Sequence, residues 1–221
     1  MKLITVLGFP RTGTTWVLRT LATSPDVAGP VAELGWSKLW DLYRDVRFVQ
    51  VGQQFSRYSL KSADLERDAF LWGGFYLGEW IAMNGVAGAF DAMARPYIRR
   101  NHRAFAEKTP ILGRYPADWP TGYLAKSRVF TDAAVIVCQR DFAETRASAL
   151  NHYGPRIEQQ FPQDRFEEYY DRFYEDAARR DNVLWLQHAE TADKPEETAR
   201  AIWKFCGVQA GTPVPWTQKT G

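Results

Sequence analysis

A short segment near the start of the chain has the spacing of a phosphate-binding loop. Its sequence is Gly8-Phe9-Pro10-Arg11-Thr12-Gly13-Thr14-Thr15. The spacing of Gly8, Gly13 and Thr15 is that of a Walker A loop. A glycine-containing turn that enters a helix presents free backbone N–H groups and the positive end of the helix dipole to an anion. The segment therefore predicts a site for a phosphate-like group.

One position of this loop departs from the Walker A pattern. Thr14 stands where the lysine is expected, and the basic residue of the loop is Arg11. A γ-phosphoryl group is highly charged and is normally met by Mg²⁺ together with lysine. A sulfuryl group on a phosphosulfate carries one charge fewer, so N–H groups, hydroxyls and one basic side chain suffice without metal. The departure favours sulfuryl over phosphoryl chemistry.

A second pair of candidate residues follows another apolar segment. Arg140 follows the apolar run 133–138 after one residue, Gln139, and Ser148 lies two helical turns further on. Open α/β sheets bind ligands in the crevice beyond the carboxyl ends of their strands. An arginine and a serine placed there are suited to hold a second anionic group.

Trp16 follows the loop directly and is a candidate contact for a planar ligand. On a helical projection Val17, Leu18 and Leu21 define the apolar face of the following helix, and Trp16 falls beside Arg19, off that face. We therefore expect the indole to face away from the core, against a ligand or against a neighbouring loop.

These residues need a scaffold of strands that alternate with helices. The apolar pattern predicts strands at 3–7, 133–138 and 182–186. Capping and stop signals predict helices at 14–24, 141–153 and 195–207, whereas residues 36–106 show mixed helical periodicity without a clear assignment. The alternation indicates an α/β fold with a mostly parallel sheet flanked by helices.

Composition narrows the class of protein further. The chain has 221 residues, a net charge of +2 and two cysteines that lie in apolar runs. This length predicts a single domain over residues 1–221. The balanced charge argues against a nucleic-acid partner, and the short N-terminal apolar run is too short for a membrane span. We expect a cytoplasmic protein in a reducing compartment, with both cysteines buried.

The loop closely resembles the 5′-phosphosulfate-binding loop of sulfotransferases, which use 3′-phosphoadenosine-5′-phosphosulfate (PAPS). The resemblance implies a fold like that of P-loop nucleoside-triphosphate hydrolases, PAPS as co-substrate, 3′,5′-diphosphoadenosine (PAP) as product and no metal. It also implies that the donor's 5′ end is bound by Pro10, Arg11, Thr12, Gly13, Thr14 and Thr15.

The same resemblance assigns the rest of the nucleotide site in part. Many cytosolic sulfotransferases stack the adenine on a tryptophan at the position of Trp16. Arg140 and Ser148 match the family's 3′-phosphate site, although Phe142 replaces the proline usual in that segment. The adenosine-binding loop that the family carries near its C-terminus is not recognisable in residues 217–221.

Two family patterns compete for the general base. Cytosolic enzymes use the histidine of a Lys-Thr-His segment, but the corresponding position here is Pro110. Glycan and tyrosylprotein sulfotransferases use a glutamate shortly after the loop helix, which Glu33 resembles. The segment around Lys108, Glu-Lys-Thr-Pro, resembles a motif of the heparan sulfate group. The resemblance thus implies that Glu33 is the base, with Lys108 and Arg11 near the transferred group.

Several alternatives stay open at this point. His102 and Glu107 are the other candidates for the base. One alternative function is a P-loop kinase of a nucleotide or small metabolite, in which Asp141 would hold the metal. Another is a non-catalytic protein that keeps the nucleotide site and binds 3′,5′-diphosphoadenosine without a catalytic base. The acceptor is expected to be a small molecule, a glycan or a lipid, bound against the aromatic-rich residues 36–130.

Overall fold

The computed structural model describes residues 1–29, 88–110, 124, 127–155 and 163–217. Glu33 and most of the aromatic-rich region 36–130 lie outside these residues.

Five strands of the described residues form one parallel sheet in the order β2-β3-β1-β4-β5. The strands are β1 (Lys2–Gly8), β2 (Val27–Ala28), β3 (Ala104–Pro110), β4 (Asp132–Gln139) and β5 (Val183–Gln187). The chain runs from β1 to one edge of the sheet, returns through β3 and then crosses to β4. This change of direction opens a crevice beside the carboxyl end of β1, where open α/β sheets bind ligands.

Helices connect the strands and cover both faces of the sheet. They are α1 (Thr14–Ala22), α2 (Phe142–Tyr153), α3 (Gln163–Ala178), α4 (His188–Asp193) and α5 (Pro195–Cys206). A further helical segment occupies residues 88–94 and passes into a 3₁₀ turn at Arg95–Tyr97. Because helices cover both faces of the sheet, β1 is apolar along nearly its whole length. Its apolar residues do not alternate with polar ones.

Two hydrophobic clusters lie on opposite sides of β1. Ile4 and Val6 pack with residues of α1 and α5, including Leu18 and Ile202. Leu3 and Leu7 face the other way and join a cluster formed with α2, α3 and the helical segment 88–94. The two clusters confirm the predicted layering of helix, sheet and helix.

Several helices begin and end near the capping, proline and glycine residues from which the sequence predicted their ends. Asp141 caps α2 because its side chain accepts a hydrogen bond from the N–H of Glu144 at 3.0 Å. Pro195 stands in the first turn of α5, and Gly207 ends that helix in a left-handed conformation with φ 66°. The strands predicted at 3–7, 133–138 and 182–186 are confirmed as β1, β4 and β5.

Several described elements were not predicted: the short strand β2, the short helix α4, the helical segment 88–94, β3 and α3. β3 lies within and beyond the stretch that showed mixed helical periodicity, and its polar residues Glu107 and Lys108 interrupt the apolar run. α3 is a 16-residue helix whose buried residues are mainly aromatic. Within the described residues, no helix has the length and apolar character needed to cross a bilayer.

Both cysteines are buried and free, as expected. Burial raises the pKa of the Cys138 thiol to about 12, although Lys108 partly opposes the shift. Burial likewise raises the pKa of the Cys206 thiol to about 12. Both side chains therefore stay protonated and act as small apolar groups in the core.

These thiols should be chemically silent in the native protein. At pH 8 a thiol with a pKa near 12 is ionised to roughly one part in 10⁴, and thiolate is the reactive form. We expect no reaction with a disulfide reagent such as dithionitrobenzoate at pH 8, and two equivalents after unfolding in guanidinium chloride. Fast reaction of either thiol in the native protein would contradict the described packing of β4 or α5.

Candidate active site

The loop after β1 adopts a left-handed turn. Arg11 and Gly13 have φ values of 73° and 94°, and the hydroxyl of Thr12 donates a hydrogen bond to the carbonyl of Phe9 at 2.7 Å. Residues with positive φ within such a turn direct successive N–H groups toward one concave side. Gly13 also precedes the first turn of α1, so the N–H groups of the loop and the helix end face the same region.

Two glycines are required by the space around this turn. A Cβ on Gly8 would lie 2.5 Å from Oγ1 of Thr12 and 2.8 Å from the carbonyl oxygen of Cys138. A Cβ on Gly13 would meet the indole of Trp216 at 3.1 Å, in addition to its left-handed φ. The glycine spacing that suggested a phosphate loop thus has a steric cause in the folded chain.

On the β4 side of the loop, the two predicted half-sites are in direct contact. Nε of Arg11 donates to Oγ of Ser148 at 3.2 Å, and Nη1 of Arg140 donates to the carbonyl of Arg11 at 3.3 Å. Arg140 also pairs through Nε with the carboxylate of Glu144 at 3.0 Å. Both arginines and Ser148 therefore border one crevice, where β1 and β4 end side by side.

On the β3 side, Lys108 approaches the start of α1. Its Nζ donates to Oγ1 of Thr15 at 2.8 Å. Lys108 lies two residues before the end of β3, and β3 pairs with β1 up to Gly8. Lys108 thus places a cation on the flank of the loop opposite to Arg140. The segment that carries Lys108 lies next to the loop and the start of α1.

His188 lies near both arginines of the crevice. Burial lowers the pKa of His188, and the charges of Arg140 and Arg11 lower it further, although Glu144 partly offsets them. His188 follows β5 directly and therefore stands at the same end of the sheet as the loop. Burial is the larger cause of this shift, and the two arginines that add to it are the cationic groups beside the loop.

Of the two partners expected for Trp16, the structure shows a neighbouring segment of the chain, and the indole lies in the core and not outside it. Its side chain is 0% exposed and packs in the cluster between the sheet, α1 and α5. The indole N–H donates to the carbonyl of Val214 at 2.9 Å, and the ring of Trp216 lies 5.3 Å away. The C-terminal segment 208–217 folds over the side of α1 that the helical projection had assigned to solvent. Adenine stacking on Trp16 stays a prediction.

The candidate bases fall in different places. Glu33 lies outside the described residues. His102 precedes β3 at the amino end of the sheet, about 20 Å from Lys108 at the rise of a strand, and its Nδ1 accepts from the N–H of Arg99. Glu107 is 0% exposed and projects from the face of β3 opposite to Lys108. The geometry places His102 away from the loop.

Two residues near the loop were not predicted as site residues. His188 and Trp216 pack ring to ring at 5.1 Å, and both lie close to Gly13. His188 comes directly after the predicted third strand, so the rule that pointed to Arg140 also points to it. No local signal in the sequence pointed to Trp216, because its position depends on how the C-terminal segment folds back. Among the described residues, no group of three metal-binding side chains converges.

The turn at Gly13 should be intolerant of any side chain. We expect Gly13→Ala to lower the free energy of unfolding by about 2 kcal/mol or more, because a left-handed alanine costs roughly 1 kcal/mol and the Trp216 indole must also move. Gly207→Ala is the matched control, since Gly207 has φ 66° and an added Cβ would lie 3.7 Å from Nζ of Lys2. Urea unfolding measures both variants. Equal losses would show that Trp216 does not confine the loop.

Comparison with solved structures supports the fold. A sulfotransferase from Alicyclobacillus acidocaldarius superposes with a TM-score of 0.54 at 15% identity, covering 98% of this chain and 87% of that one. The sulfotransferase domain of the olefin synthase from Synechococcus PCC 7002 gives a TM-score of 0.52 at 15% identity, covering 100% and 76%. At this identity the likeness concerns the P-loop-like fold.

Sequence comparison is informative at the level of the family. No curated protein sequence matches this chain significantly. The model of the sulfotransferase family matches residues 4–212, a range that includes the loop after β1, Lys108, Arg140 and the closing helix α5. Nearly the whole chain is thus accounted for by one family, and this protein belongs to the sulfotransferase family.

Proposed function

We propose that this protein transfers a sulfuryl group from PAPS to a hydroxyl or amine of an acceptor. The observation that carries the proposal is the contact between the two half-sites, in which Arg11 reaches Ser148 and Arg140 reaches the Arg11 backbone. A nucleotide with anionic groups at both ends of its ribose matches a crevice that has one cationic group at each side of the loop.

The phosphate loop is suited to the 5′ end of the donor. The left-handed turn at Arg11 and Gly13 directs backbone N–H groups to one concave side, and the hydroxyls of Thr14 and Thr15 stand in the first turn of α1. Lys108 already contacts Thr15. An anion that enters between them would gain a charge-assisted hydrogen bond from the ammonium group.

Arg140 and Ser148 are suited to the 3′-phosphate. Guanidinium groups bind phosphate through paired N–H donors, and Arg140 is oriented by Glu144 and by the carbonyl of Arg11. Ser148 lies in α2, and its hydroxyl oxygen accepts the hydrogen bond from Nε of Arg11. The 3′-phosphate distinguishes this donor from ATP, so these two residues would decide nucleotide specificity.

The transfer itself is an in-line displacement at sulfur. The acceptor oxygen or nitrogen forms a bond to sulfur as the bond from sulfur to the 5′-phosphate oxygen breaks, and PAP leaves. The acceptor proton passes to a carboxylate, for which Glu33 is the candidate. Arg11 and Lys108 stabilise the charge that develops on the bridging oxygen, so the step needs no metal in this proposal.

The acceptor is proposed by class. Small molecules, glycans and lipids that carry a free hydroxyl or amine fit the chemistry, and residues 36–130 would provide an aromatic wall for them. A cytoplasmic location would suit the two unpaired cysteines.

Nucleotide selectivity tests the donor. We expect PAP without metal at about 100 times its Kd to stabilise the protein by about 2.7 kcal/mol, or roughly 5–10 °C in Tm, and Mg-ATP to have a much smaller effect. Preferential stabilisation by Mg-ATP would favour the kinase alternative.

Arg140→Ala should weaken PAP binding by about tenfold to a hundredfold through loss of a charged hydrogen bond. Arg200→Ala, which removes an exposed pair with Glu196 on α5, is the control.

Substitution of the candidate base tests the mechanism. With ³⁵S-labelled PAPS and a panel of glycans, lipids and phenols, we expect Glu33→Gln to lower kcat by roughly 10²- to 10⁴-fold while PAP binding is unchanged. His102→Gln should retain full activity because His102 lies at the amino end of the sheet. A wild-type protein that binds PAP but sulfates no acceptor would indicate the non-catalytic binder, and full activity of Glu33→Gln would exclude Glu33 as the base.

A further inference from the structure

An aromatic surface of α3 lies directly beneath the phosphate loop. Phe9, the second residue of the loop segment, is buried, and its ring is surrounded by four aromatic rings of α3. The centroid distances are 5.2 to 6.1 Å, to Phe166, Tyr170, Phe173 and Tyr174. Aromatic side chains in such edge and tilted contacts hold a fixed relative geometry in the core. α3 therefore supports the loop from the face of the sheet opposite to α1.

The hydroxyl of Tyr174 joins the loop to the end of β4. It donates a hydrogen bond to the carbonyl of Cys138 at 2.7 Å, and it accepts one from the backbone N–H of Phe9. Phe9 follows β1 and Cys138 pairs with Gly8 across the sheet. One phenol thus ties together the two strand ends that carry the two half-sites.

The hydroxyl of Tyr170 makes the corresponding contact one turn earlier in α3. It donates to the backbone carbonyl of Arg140, and the side chain of Gln139 hydrogen-bonds the same hydroxyl. Oγ1 of Thr145 donates to that carbonyl as well, at 3.3 Å. Burial raises the pKa of Tyr170, so the phenol stays a donor at neutral pH. The backbone of Arg140 is therefore held from α3 and from α2.

We propose that Tyr170 is a positioning residue that places Arg140 for the 3′-phosphate of the donor by means of the hydrogen bond between its hydroxyl and the Arg140 carbonyl. This inference rests on the proposed function, since it assumes that Arg140 binds that phosphate. Arg140 is the first residue after β4, where the ladder of the sheet ends and its backbone needs another anchor. A backbone fixed at this point leaves fewer conformations for the guanidinium, so less entropy is lost when it binds phosphate.

Tyr170→Phe separates this role from packing. The substitution keeps the ring against Phe9 and removes the hydroxyl, and the Arg140 carbonyl keeps its bond from Thr145, so the variant should fold. Isothermal titration calorimetry measures the affinity for PAP and for adenosine 5′-monophosphate, which lacks the 3′-phosphate. The difference between the two affinities reports the contribution of the 3′-phosphate. We expect PAP to bind about threefold to tenfold more weakly and the monophosphate to bind as in the wild type.

Two further variants complete the experiment. Tyr169→Phe removes a hydroxyl from the same helix that makes none of these bonds, and it should bind both nucleotides as the wild type does. In an Arg140→Ala background, Tyr170→Phe should cause no further loss of PAP affinity, because the carbonyl remains but the guanidinium does not. In steady-state kinetics, Tyr170→Phe should raise the KM for PAPS and leave kcat nearly unchanged.

The outcomes separate this inference from the proposed function. Equal weakening of PAP and of the monophosphate would assign Tyr170 a general structural role and overturn the inference. Unchanged binding of both, or a full additional loss in the Arg140→Ala background, would overturn it too. A wild-type protein that does not bind PAP would overturn the proposed function and with it this inference.

Discussion

The crowded exit of the chain from β1 is the constraint on which the site depends. Gly8 lies beneath the Thr12 side chain and beside the Cys138 carbonyl, with no room for a Cβ. The absence of a Cβ at Gly8 permits the tight turn in which the chain leaves the sheet, and the hydrogen bond from Thr12 to Phe9 closes that turn. That turn brings the residues with positive φ to the start of α1. Backbone N–H groups of the turn and of the start of α1 therefore face the same region.

The parallel arrangement of the strands brings basic side chains together at one edge of the sheet. β3, β1 and β4 are neighbours in register, so residues near their carboxyl ends meet at one edge of the sheet although they are far apart in sequence. Lys108 and Arg140 reach the loop from opposite sides for this reason. The loop therefore has a cation on each flank, and Arg11 within it supplies a third positive charge.

The same edge is supported from below by aromatic residues and closed from the side by the C-terminal segment. α3 packs its rings on Phe9, and segment 208–217 covers Trp16 with Val214 and Trp216. Such packing excludes water from beneath the loop and limits the conformations of the polar groups above it. α3 and the C-terminal segment thus support the loop through packing.

The sequence by itself determined the loop, the strands β1, β4 and β5, the helices α1, α2 and α5, and the positions of Arg11 and Arg140 next to strand ends. These features follow from local patterns: apolar runs, glycine spacing and capping residues, whose effects act over a few residues. α3 carried such a pattern as well, since its aromatic residues recur at helical spacing, but sequence reasoning did not use it. Lys108 was indicated only by the family resemblance of its segment. Only the tertiary structure decided that Trp16 is covered and that Lys108 contacts Thr15. It also decided that the Arg140 backbone is held by Tyr170. Each of these depends on segments distant in sequence that share one edge of a parallel sheet, and no local pattern encodes that proximity.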